Sequence, residues 1–139
     1  MNDSHCTGGT DTGAIVKRVR ARVLKTIAGE SAALRDVVPA GMVAWRPFLP
    51  GVERQVLHES GGVMCYLLKF APGAVLPAHR HPVDEECVVL QGSVRIGPLV
   101  LEAGSFQKVG RTVLDSDTSS DHGAVIYLRG APPGPESLL

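Results

Sequence analysis

The chain has 139 residues, 44% of them hydrophobic and 20% charged, with fourteen basic and fourteen acidic side chains. That length suits one compact domain with a tail, and the balanced charge removes the electrostatic case for nucleic acid or an anionic membrane as partner. No stretch is long and apolar enough for a transmembrane helix, and the N-terminus lacks the apolar core of a secretory signal, so a cytoplasmic protein is expected.

Residues 1–13 are polar and glycine-rich without periodicity, which predicts disorder, and the adjacent His5 and Cys6 there carry no assigned role. From Ala14 to Ala28, Val16, Val19, Val23 and Ile27 recur at steps of three and four among Lys and Arg. This predicts an amphipathic helix capped by Asp11 or Thr12 and ended near Gly29, its apolar stripe packing on the domain or on a second subunit. Residues 30–41 form a connector, so that 1–41 precede the domain proper.

Short apolar runs bounded by Gly, Pro or acidic turns follow at 42–46, 52–59, 63–70, 75–81, 86–91, 93–96, 99–101, 105–109, 112–116 and 124–129. They predict about ten strands and an all-β barrel or sandwich over 42–130, with 131–139 a proline-rich flexible tail. Cys6, Cys65 and Cys87 are odd in number and widely spaced, which argues against a disulfide framework or a thiolate zinc cluster. Cys65 and Cys87 read as small core residues, and Tyr66 and Phe106 as lumen or core aromatics.

The segment Gly73–Gly92 gathers the chemistry. Pro77 and Pro82 oppose a helix, and in a strand His79 and His81 project from one face while Arg80 points away. Pro82, Val83 and Asp84 supply a turn, after which Glu85 opens a second apolar run able to lie antiparallel to the first and return to both imidazoles, with Glu86 on the outer face. Two imidazoles and a carboxylate suit a divalent first-row metal, zinc or iron first and manganese, nickel or copper besides, and are too rich in nitrogen for calcium or magnesium.

The spacing from Gly73 through His79, His81 and Glu85 to Gly92 fits GX5HXHX3EX6G, and the chain resembles the cupin superfamily in this first motif. The resemblance implies a double-sheet jelly-roll barrel holding a metal in its lumen. Trp45-Arg46-Pro47, Gly51-Val52, Pro72-Gly73-Ala74, the His-X-His-X3-Glu-Glu run and Ser119-Ser120-Asp121-X-Gly123-Ala124 resemble, more narrowly, the cupin domain of ChrR-like anti-sigma factors. Such proteins carry a helical zinc domain with a His-X3-Cys-X2-Cys signature that grips the sigma factor. Residues 1–41 lack that signature, so a sigma-factor partner is not carried over.

The second cupin motif, GX5PXGX2HX3N, would start at Gly104, placing Gly110 at the proline, Thr112 at the second glycine and Asp115 at the histidine. Asp115, His122 in another register, or water is left as fourth ligand. The resemblance implies a regulatory or sensor module that binds a divalent metal and a small-molecule ligand, as a homodimer. A non-haem metal dioxygenase or isomerase, with His58 as base, and a metal-stabilised structural dimer are the alternatives.

Overall fold

The computed structural model of the chain describes residues 11–33 and 35–131. His5, Cys6 and the tail from Pro132 onward lie outside them.

Helix α1 spans Thr12–Ala33. Asp11 caps it, its Oδ1 accepting the Ala14 N–H at 3.2 Å while its carbonyl accepts those of Ala14 and Ile15. The helix does not stop at Gly29 as the sequence suggests. A glycine inside a helix costs about 1 kcal/mol relative to alanine, and Glu30, Ala32 and Ala33, all good helix formers, carry it onward. Val16, Val19, Val23 and Ile27 are all exposed.

Residues 38–131 belong to a second unit and are almost wholly β. The strands are β1 (Arg46–Leu49), β2 (Val52–Ser60), β3 (Val63–Phe70), β4 (Val75–Leu76), β5 (His79–Arg80), β6 (Glu85–Ile96), β7 (Leu99–Glu102), β8 (Phe106–Val109), β9 (Leu114–Asp115), β10 (Thr118–Ser119) and β11 (Ala124–Gly130). They pair in the order β1-β2-β3-β11-β6-β10-β4, with β7 and β8 also on β6, while β5 and β9 form a separate pair; the result is a nearly closed barrel.

The long strand β6 organises this barrel, because its two halves serve different neighbours. Glu85 to Val88 pair with β8, and Ser93 to Ile96 pair with β7. The changeover falls at Gly92, which has φ 69° and lies so close to Gly123 that a Cβ would meet the Gly123 carbonyl oxygen. Only glycine fits both constraints, which gives the last residue of the sequence motif its physical meaning. Alternation then sends Tyr66, Leu68 and Phe70 of β3, Ile126 and Leu128 of β11, and Cys87 and Val89 of β6 into one core.

Several expectations need correction. The first strand is 46–49 rather than 42–46; Pro47 is tolerated because β1 pairs with β2 alone. The run 75–81 is broken at Pro77 and Ala78 into β4 and β5. The hairpin of β5 with β6 does not form: β5 pairs with β9, His79 standing opposite Asp115. Phe106 is not a core aromatic but 62% exposed, because on β8 it is Gln107 and Val109 that have the inward parity.

Candidate metal centre

His79 enters from β5, His81 from the residue just beyond it, and Glu85 from the first position of β6. A tight connection through Pro82 and Asp84 brings the three together although no hairpin joins their strands. Each offers a ligand atom, these atoms lie within 4.8 Å of one another, and all three side chains are buried. Donors around one first-row ion at bond lengths near 2.1 Å are at most about 4.2 Å apart, so small side-chain adjustments would close the set on a metal.

The polar bookkeeping fits a cation. His79 Nδ1 donates to the Pro77 carbonyl at 2.8 Å, which fixes the ring and leaves Nε2 as the lone-pair donor. His81 Nδ1 lies 3.3 Å from Glu85 Oε2, while His81 Nε2 is buried without a hydrogen-bond partner. The Tyr66 hydroxyl donates to Glu85 Oε2 at 3.3 Å. A buried carboxylate beside an unpartnered imidazole nitrogen is costly in a neutral lumen and satisfied by a metal ion.

Titration follows the same surroundings in the metal-free state. Burial pushes the Glu85 carboxyl up to about 7, against the opposing pull of His81 and of the Tyr66 hydroxyl. Burial lowers His79. For His81 burial also acts downward, yet Asp115 and Glu85 together outweigh it and the net shift is upward. Burial raises the Cys87 thiol to about 12, which keeps it an inert core residue.

Asp115 sits beside this group rather than within it. Its Oδ2 is 3.8 Å from His81 Nε2, beyond hydrogen-bond reach, so it acts on that ring through charge. His122 and His58 are exposed, and Glu86 faces outward toward Arg129 at 3.9 Å.

The segment carrying the histidines is laced to the β8–β9 turn. Thr112 N–H donates to the His81 carbonyl at 2.8 Å, Arg80 Nη1 to the Thr112 carbonyl at 2.7 Å, and Arg111 N–H to Asp84 Oδ1 at 3.0 Å. Lys108 pairs with Asp84 at 2.9 Å and holds its carboxyl below the usual range. Sequence reasoning missed two residues that touch Glu85. Tyr66 was legible as a core aromatic but not as the donor to Glu85. Gly130 carried no signal, since only the packed structure shows Glu85 lying against it.

Comparison with known proteins adds the following. The family model described as the ChrR cupin-like domain matches residues 34–132. No curated protein sequence matches the chain. Among solved structures, an RmlC-like cupin protein from Ralstonia eutropha JMP134 superposes with a TM-score of 0.64 at 19% identity, covering 75% of this chain and 76% of that one. An acetylacetone dioxygenase from Acinetobacter johnsonii gives 0.63 at 17% identity, covering 71% and 74%. A chain of the complex of Rhodobacter sphaeroides SigE with the anti-sigma ChrR gives 0.58 at 20% identity, covering 81% and 79%.

Proposed function

The chain belongs to the ChrR cupin-like domain family, and from that premise we propose that it is a regulatory or sensor module whose lumen binds a divalent transition metal together with a small ligand. The observation that carries this reading is the buried group of His79, His81 and Glu85, with the His79 ring fixed through Pro77. Zinc or iron suits the two imidazoles and one carboxylate best, manganese or nickel next, and Asp115 is proposed as a fourth oxygen ligand reached by a small side-chain movement. Held there, the metal supplies Lewis acidity and open coordination positions. The protein's own groups fix the rings, keep Glu85 hydrogen-bonded to Tyr66 and exclude bulk water.

A second reading, a non-haem dioxygenase or isomerase, is favoured by the same donor set, since two histidines and one carboxylate leave positions open on iron. Oxygen uptake by the Fe(II)-loaded protein with candidate diketones and phenols separates the two. No substrate-dependent uptake is expected; turnover with any of them would overturn the sensor reading in favour of an enzyme.

We place the module at residues 42–130, in the cytoplasm; no described helix is long and apolar enough to cross a membrane. A homodimer is proposed through the outer sheet face, where Leu67, Tyr127, Val88 and Phe106 lie in register across four strands. Light scattering should give twice the chain mass at micromolar concentration, and a monomer mass would contradict it.

A further inference from the structure

Among the described residues, two buried side-chain polar atoms have no hydrogen-bond partner, His81 Nε2 and Gln107 Oε1. A metal ion held by His79, His81 and Glu85, the donor set proposed above, takes up the first and leaves the second unanswered. Gln107 stands directly across from Cys87 on the inward face of β8, one step along the lumen from the Glu85–Val109 pair. With His79, Glu85, Asp115 and apolar side chains that include Leu76 and Leu128, it lines a cavity of about 20 Å³. A buried amide oxygen without a partner is destabilising, and natural interiors rarely leave one so.

The size of the cavity narrows what can answer it. Room for one water takes about 10–15 Å³, whereas a cavity that holds benzene measures about 150 Å³. A carbon skeleton does not fit, and a single small molecule does.

We infer that the lumen binds one water-sized O–H donor between the metal position and Gln107 Oε1, and that Gln107 makes the site select a protonated ligand over an anion. This rests on the metal reading above. With the metal in place, a bound water offers a proton to Gln107 Oε1, whereas a bound anion of the same size turns a lone pair toward the amide oxygen. Gln107 is thus a specificity-determining residue.

Loading with cobalt(II) and titration with fluoride, an anion close to water in size, test this through the visible absorption of the bound cobalt. Wild type, Gln107→Leu and Gln107→Met should each take up about one cobalt per chain, so that ligand preference is read separately from metal binding. Both variants should bind fluoride about tenfold more tightly than wild type, because the repelling oxygen is gone. The spectrum of the wild type should not respond to 2,4-pentanedione.

Equal or weaker fluoride binding by the variants would overturn the role of Gln107, and a saturable response of the wild type to pentanedione would overturn the size limit. Failure of all three proteins to take up cobalt would overturn the metal reading itself, a result distinct from either.

Discussion

The carboxylate of Glu85 lies against Gly130 so closely that a Cβ there would stand 3.1 Å from Glu85 Cγ and 3.1 Å from Oε2. Gly130 ends β11, beside the start of β6, and its missing side chain is what lets Glu85 reach toward the histidines. Gly130→Ala should displace the carboxylate by a few tenths of an ångström and weaken metal binding about tenfold, the scale expected when the support of a ligand is disturbed. Competition titration against a chelating dye measures this. Affinity equal to wild type would show that Glu85 has room to spare or is not a ligand.

Tyr66 supports the same carboxylate oxygen, as a buried donor at 3.3 Å. Tyr66→Phe keeps the ring packing and removes only the hydroxyl, so the cost is the loss of one hydrogen bond to a buried acceptor, about 1–3 kcal/mol in the metal-free protein. Metal loading should recover part of this loss, because the ion takes over the charge of Glu85. Denaturant melts with and without metal give both values; an equal loss in the two states would mean that Tyr66 acts by packing and not through Glu85.

Metal binding should strengthen as the pH rises toward neutrality. In the metal-free fold Glu85 keeps its proton up to about pH 7, and a metal must displace that proton and any on the imidazoles. The apparent affinity is therefore expected to rise from roughly pH 5 to 7, by about tenfold per pH unit for each proton released from Glu85 and His81, and then to level off. For the metal-free fold the sign is opposite: a carboxyl whose pKa is raised by folding stabilises below its unfolded value, and that contribution is lost as pH rises through about 7. The lowered pKa of His79 acts the other way, costing stability on the acid side. A metal affinity that does not change with pH over this range would contradict a buried, protonated Glu85.

Thr112 adopts φ 67° in the turn that holds the histidine segment. A β-branched residue in the left-handed region costs about 1–2 kcal/mol, whereas asparagine tolerates it far better. Thr112→Asn keeps both backbone hydrogen bonds, to His81 and from Arg80, and should raise the melting temperature by a few degrees with unchanged metal affinity. A fall in melting temperature would mean that the threonine side chain makes a stabilising contribution larger than the strain.

The sequence was most legible where chemistry and backbone needs coincide. Gly73 and Gly92 both have positive φ, and between them His79, His81 and Glu85 fall in one buried group although the hairpin inferred to join them is absent. Spacing constrained which donors meet, but strand pairing depends on where the chain goes after Pro82, and no local signal fixes that. The face of β8 was misread for a related reason: Phe106 and Val109 are both apolar yet have opposite parity, so alternation alone could not decide which of them turns inward. Gln107 and Gly130 escaped because their roles come from neighbours distant in sequence, Cys87 and Glu85.

The most direct test is the metal content of tag-free protein purified without added metal, compared with the His79→Ala/His81→Ala double variant. Wild type should retain about one divalent first-row metal per chain through dialysis, and the double variant should retain none while still folding. A wild type without metal even after reconstitution, or a double variant that keeps it, would contradict a metal centre at His79, His81 and Glu85.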